Sequence, residues 1–100
     1  MSNAHARFVK LHQGADLYVL PNVWDAGGAR LVQQQGALAV GTSSAAMAWS
    51  CGHADGGALP DTALLQRVSE IVGVTSLPVT VDIEDGYSDV PDAVAARVLR

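Results

Sequence analysis

Three short apolar runs, each followed by a stretch able to form a helix, restrict this chain more than any other feature. Leu17-Tyr18-Val19-Leu20 reads as a strand stopped by Pro21. Asp25 can cap a helix running to Gln35, with Gly36 to end it, although Gly27-Gly28 weakens that helix. Ala37 to Gly41 is a second apolar run that continues into Thr42-Ser43-Ser44. Residues 43–59 follow as a long loop of weak periodicity, punctuated by Gly52, Gly56 and Gly57. Asp61 caps the clearest helix, in which Leu64, Val68, Ile71 and Val72 form one apolar stripe, and Gly73 ends it. Leu77 to Ile83 is the third strand. A turn at Asp85-Gly86 leads to a helix beginning near Asp89 to Pro91, with Val90, Val94 and Val98 on one face.

The spacing therefore predicts strands near 17–20, 37–42 and 78–83, and helices near 25–35, 61–73 and 90–100. Strands that alternate with helices pair in parallel through right-handed crossovers. Apolar strands suit a sheet covered on both faces. Two α/β architectures fit, a doubly wound sheet and a (β/α)8 barrel. A barrel needs about 250 residues, so on that reading residues 1–100 form a single domain holding three of eight repeats.

Composition narrows the function. The chain is 49% hydrophobic and 16% charged, which excludes disorder. Six Lys+Arg against ten Asp+Glu leave a net charge of −4, which argues against a nucleic-acid binder with a basic face. One cysteine, Cys51, excludes an intramolecular disulfide and any multi-cysteine metal site. No run approaches the roughly 18 apolar residues of a membrane span, and Met1 to His5 lacks the apolar core of a signal peptide. The expected location is the cytoplasm.

The acids are unevenly placed. Asp82, Glu84, Asp85, Asp89 and Asp92 fall close together with no base among them, while five acids and six bases are spread over the remainder. A solvated acidic turn and a cation site both account for this. The position favours chemistry: Asn22 and Asp25 follow strand one, Thr42, Ser43 and Ser44 end strand two, and Asp82, Glu84 and Asp85 end strand three. These are C-terminal strand ends, where barrels and α/β sheets keep their sites. Strand alternation sets Thr80, Asp82 and Glu84 on one face, with the two acidic Cα atoms about 6.5 Å apart. Two such carboxylates repel unless a proton or cation lies between them. Mg²⁺ suits them, because it takes oxygen ligands and retains waters. Zinc suits them less, for no His is near in sequence. The EF-hand, Walker A and GxGxxG patterns are absent.

Leu20-Pro21-Asn22-Val23-Trp24-Asp25-Ala26-Gly27, then Thr42-Ser43-Ser44-Ala45, then Asp82-Ile83-Glu84-Asp85-Gly86-Tyr87 resemble the isocitrate lyase/phosphoenolpyruvate mutase superfamily, over residues 7–100. The resemblance implies a (β/α)8 TIM barrel that uses Mg²⁺ or Mn²⁺ to cleave or form C–C or P–C bonds in small α-keto or α-hydroxy acids through a stabilised enolate. It is nearest to the small phosphonomutase-like members. By that resemblance Asp82 is the direct metal ligand and Glu84 the second acidic position, often reached through water. Ser44, Ala45 and Ala46 match the segment that holds the substrate carboxylate and oxyanion, and Asp55 matches an acid near the site. Asp82 and Ser44 are thus the expected catalytic residues.

Two positions depart from the family pattern: Ser88 stands for the second glycine of Gly-Tyr-Gly, and Ala45 for a common glycine. Cys51-Gly52-His53 imitates a lyase motif but follows strand two rather than strand four, so Cys51 and His53 read as loop residues. Trp24 and Trp49 read as packing and Tyr87 as a turn residue near the site. Strand two's end offers backbone N–H groups to an anion, unless Ser43 and Ser44 merely cap the turn. The family's later glutamate, gating loop, arginine and histidine would lie beyond Arg100. The expected partners are a small carboxylic acid and further copies of the chain, with neither nucleic acid nor membrane. The alternative is a non-catalytic barrel fragment ordered by self-association or by a partner, since an open three-strand sheet leaves unpaired edges.

Overall fold

The computed structural model describes residues 3–14 and 16–98. The elements run α1 (Asn3–Leu11), β1 (Asn22–Val23), α2 (Ala26–Gln34), β2 (Val40–Thr42), α3 (Ser44–Ser50), α4 (Asp61–Val74), β3 (Val79–Thr80) and α5 (Pro91–Val98). The three strands form one parallel sheet in the order β1-β2-β3. Asn22 pairs with Gly41 and Val23 with Thr42, while Val40 pairs with Val79 and Gly41 with Thr80. Three parallel neighbouring strands thus occur as expected; β2 and β3 fall within their apolar runs but are shorter, whereas β1 lies after the run at 17–20.

The register sorts the strand residues onto two faces. Val23, Val40 and Val79 face the helices, where Val23, Ala29, Val40, Met47 and Ile71 make the buried core. Asn22, Gly41 and Thr80 form one layer on the opposite face. Gly41 is buried, and a Cβ there would stand 3.0 Å from Asn22 Oδ1, 3.3 Å from Leu20 Cδ2 and 3.4 Å from Thr80 Cγ2. Neighbouring side chains occupy the space a larger residue would need.

Several expectations are corrected. Residues 17–20 form no strand and stand outside the ladder, with Leu17 91% and Val19 67% exposed. The pairing begins one step later, where the Gly41 N–H donates to the Pro21 carbonyl at 2.9 Å. Proline lacks an N–H but keeps an acceptor, so Pro21 opens the strand instead of ending it. The long loop contains α3, whose Ser43 N-cap accepts from the Ala46 N–H at 3.3 Å. The N-terminal helix α1 is not among the expected helices; its stripe of Ala4, Phe8 and Leu11 is short and only half-buried.

Asp25 caps α2 as expected, accepting from the Gly28 N–H at 2.7 Å. A Cβ on Gly28 would lie 3.0 Å from that carboxylate, which accounts for a glycine inside the helix. Gly36, at φ +96°, follows the C-cap Gln35. In α4, Pro60 occupies the N-cap position and Asp61 lies in the first turn, so Asp61 is not the cap; the helix runs through Gly73 to Val74. Leu64 and Ile71 are buried, whereas Val72 is exposed and leaves the stripe. Trp24 and Trp49, expected to pack, are 46% and 66% exposed, since the adjoining Val23 and Ala48 take the inward positions. The last helix begins at Pro91, and residues 99–100 of its expected span, like the ends of the expected 1–100 domain, lie outside the described residues. Among the described residues no helix is long and apolar enough to cross a membrane.

Candidate functional site

The ends of β2 and β3 are tied together at Asp82. Its backbone N–H donates to the hydroxyl of Thr42 at 2.9 Å, and its Oδ2 accepts from the Ser44 N–H at 3.3 Å. Its Oδ1 accepts from the Glu84 N–H at 2.9 Å. Asp82 therefore spans two strand ends through its own backbone and both carboxylate oxygens. The Glu84 N–H holds its carboxyl below the usual carboxylate range, helped by the backbone N–H and hydroxyl of Ser44, against the opposing effect of desolvation.

Glu84 shifts the other way. Partial loss of hydration raises its pKa most, followed by the hydrogen bond and charge of Asp55 and the charge of Asp82; the Ser44 hydroxyl partly opposes them. Asp55 reaches Glu84 because the loop after α3 folds over it. Gly56 and Gly57 adopt φ +99° and +92°, and a Cβ on Gly57 would stand 4.0 Å from Glu84 Oε2. Glycine alone takes such angles freely. The two carboxyls are thus shifted in opposite directions, Asp82 downward and Glu84 upward.

The ladder ends at Thr80, so Asp82 and Glu84 do not share a strand face as alternation implied. Glu84 lies in the left-handed region at φ 54°, and what joins the acids is a turn in which Asp82 accepts the Glu84 N–H. The acids follow a strand end, and the local geometry is that of a turn. An open cavity of about 590 Å³ lies beside it, lined by Gly56, Gly57, Glu84, Asp85, Tyr87, Ser88 and Asp89.

The structure brings Asp82, Glu84, Asp55 and Ser44 together. It alters the expectation for Ser44, Ala45 and Ala46, which form the first turn of α3: the Ala46 N–H is taken by Ser43 and the Ser44 N–H by Asp82. Ser43 is thus a helix cap, and the Ala45 N–H is a first-turn donor with no intrahelical acceptor. Cys51 is the C-cap of α3, at the other end of that helix from Ser44, with its Sγ 3.9 Å from Ser50 Oγ. The His53 N–H returns to the Ala48 carbonyl at 2.8 Å, which makes it a loop residue. Thr42 was noted as a strand-end hydroxyl, but its function as the acceptor for the Asp82 backbone was missed. A buried threonine at a parallel strand's C-terminal end was the available signal.

A divalent cation fits the chemistry of this donor set. The contributing groups are hard oxygens, and two carboxylates beside Glu84 raise its pKa, a repulsion that positive charge would relieve. Among the described residues no three His, Cys, Asp or Glu side chains can hold a metal ion by themselves. Asp82 and Glu84 are the residues that would hold it, with Asp55 close by.

Residues 8–100 match the phosphoenolpyruvate phosphomutase family. The chain belongs to that family. It is 42% identical over 87 residues to an uncharacterised protein of Mycobacterium tuberculosis, covering 87% of this chain and 33% of that protein. It is 33% identical over 94 residues to the 2-methylisocitrate lyase of Bacillus subtilis, covering 94% of this chain and 31% of the lyase. A crystal structure of a candidate phosphonomutase from Burkholderia cenocepacia J2315 superposes with a TM-score of 0.91 at 40% identity, over 97% of this chain and 39% of that one. The chain spans about a third of the length of the curated relatives it matches. Its three parallel βα repeats are the N-terminal repeats of the family's (β/α)8 barrel.

Proposed function

We propose that this chain carries the metal-binding and substrate-anchoring corner of a Mg²⁺- or Mn²⁺-dependent lyase or mutase. The reaction is cleavage or formation of a C–C or P–C bond in a small α-keto or α-hydroxy acid. The observation that carries the reading is the junction at Asp82, whose carboxylate takes N–H donors from both Ser44 and Glu84. These donors keep Asp82 ionised and oriented. Desolvation and then Asp55 raise the pKa of Glu84, an effect that a bound cation would oppose. The Ser44 hydroxyl, now directed at the two acids, is an adjustable donor for a substrate carboxylate, and the Ala45 N–H adds a fixed one. When bound, the cation would supply Lewis-acid polarisation of a substrate oxygen and neutralise developing negative charge. A cytoplasmic setting and a homo-oligomer belong to the same reading.

Calorimetry with Mn²⁺ and oxalate tests it. The parent protein should bind Mn²⁺, and bind oxalate only with Mn²⁺ present. Asp82→Asn should weaken Mn²⁺ binding at least about tenfold, as expected for removing one charged ligand. Unchanged Mn²⁺ affinity in that variant would exclude Asp82 as a ligand.

A second reading has its own support. Leu17, Val19, Leu38 and Trp49 are exposed, and β1 and β3 are the outer strands of the described sheet. A barrel fragment with such edges is suited to ordering by self-association or by a partner. Sedimentation and calorimetry of the 100-residue chain discriminate: Mn²⁺ binding supports the first reading, and self-association without Mn²⁺ binding supports the second.

A further inference from the structure

We infer that Val94 of α5 is a positioning residue for the acidic turn and acts through Gly86; this rests on reading Asp82 and Glu84 as cation-binding groups. Gly86 is buried, at φ +81°. A Cβ there would lie 2.5 Å from Val94 Cγ1, 2.8 Å from Cγ2 and 3.2 Å from Cβ. Ordinary carbon contacts are about 3.5–4.0 Å. Rotating Val94 does not clear the space, because both Cγ atoms crowd it and a helical valine keeps one χ1 rotamer. The backbone of the turn therefore rests directly on α5.

The turn has little freedom apart from that contact. The Gly86 N–H closes it on the Ile83 carbonyl at 2.8 Å, and the Asp85 carboxylate accepts the Tyr87 N–H at 2.9 Å. Glu84 and Tyr87 are both left-handed, at φ 54° and 63°, a conformation that persists in such residues only when the surroundings hold it. Ser88 Oγ accepts the Val90 N–H at 3.0 Å, which joins the turn to the entry of α5. Val94 supplies the wall against which this segment is set, and so fixes the height of Glu84 relative to Asp82 and Ser44.

The test is a double-mutant cycle of Gly86→Asn and Val94→Ala. Asparagine tolerates the left-handed conformation, so the added Cβ is the main perturbation. Two quantities are read: Mn²⁺ affinity by calorimetry, and the amide chemical shifts of Asp82, Glu84 and Ser44 without metal. Displacing the turn by about 1 Å should weaken Mn²⁺ binding by up to ~100-fold in Gly86→Asn, the scale on which misplaced groups lose function. Adding Val94→Ala should recover most of that loss and return the three amide shifts toward the parent, while Val94→Ala alone costs only a few-fold.

Parent-like shifts in Gly86→Asn, or a double variant no better than the single, would overturn the inference. Should the parent take up no Mn²⁺, the cation reading fails and the amide shifts alone decide the function of Val94. Should Gly86→Asn fold only when paired with Val94→Ala, the inference is supported. If neither folds, Val94→Ala by itself decides: shifts confined to α5 overturn the inference, and shifts at Asp82 and Glu84 support it.

Discussion

Replacing Thr42 by valine removes the acceptor that anchors the Asp82 backbone while keeping the side chain's shape. Thr42 is 6% exposed, and its hydroxyl takes the Asp82 N–H at 2.9 Å across the β2–β3 junction. Thr42→Val leaves that N–H without its partner. A buried donor orphaned in this way costs about 1–3 kcal/mol. Asp82 is exposed, so water can reach its backbone in part, and the lower half of that range applies. We expect a loss of about 1–1.5 kcal/mol in urea unfolding. Thr42→Ser, which keeps the acceptor and loses one methyl, should cost about 0.8 kcal/mol from burial alone.

Stability does not separate those two variants well, but Mn²⁺ binding does. Freeing the Asp82 backbone should weaken Mn²⁺ about 3–10-fold in Thr42→Val, the equivalent of roughly 0.7–1.4 kcal/mol. Thr42→Ser should bind as the parent does. Titration calorimetry on the three proteins at one ionic strength reads this directly. If Thr42→Val binds Mn²⁺ as tightly as Thr42→Ser and loses no stability, the hydroxyl does not hold Asp82 in place and the reasoning is refuted.

Acid and base titration should show opposite contributions at the site. Asp82, with its lowered pKa, stabilises the fold above the usual carboxylate value of 3.8, and this is lost as pH falls through its lower folded pKa. Glu84, with its raised pKa, contributes stability that is full below 4.5 and is lost as pH rises through its folded value. Asp55→Asn removes one source of that rise, so the metal-free variant should lose less stability than the parent between acidic and neutral pH; an unchanged pH profile counts against the contact. Gly41→Ala should cost about 1–3 kcal/mol in urea, as overpacking does, because its Cβ meets Asn22, Leu20 and Thr80; parent-like stability would contradict the strand layer. Cys51→Ser should leave Mn²⁺ affinity within a few-fold of the parent, and a larger fall would bring Cys51 into the site.

Much of the site was legible because its parts are local. Asp82, Glu84 and Gly86 stand within one short turn, and the two acids and their position after an apolar run needed no tertiary knowledge. Asp25 as a cap and Gly36 as a stop are likewise contacts over three or four residues. Helix α3 was hidden because about two turns, mostly of small residues, carry almost no periodicity, and only Ser43 announced it. The contact between Asp55 and Glu84 was open only through resemblance, since nothing in residues 55 and 84 themselves requires them to meet.

The sequence by itself determined the alternation of three strands with α2, α4 and α5, their parallel sense and the acidic segment after the third strand. Apolar period and caps are properties of neighbouring residues, and the right-handed crossover follows from chain chirality. Only the tertiary structure decided where each ladder starts. Leu17–Leu20 has the stronger strand composition, yet Asn22 and Val23 are paired, because a ladder needs a partner and Gly41 and Thr42 lie opposite those two residues. It also decided that Asp82 meets Ser44 and Thr42, and that Gly86 lies on Val94. Those contacts depend on register and on close approach between segments distant in sequence, which composition and spacing along a single segment do not encode.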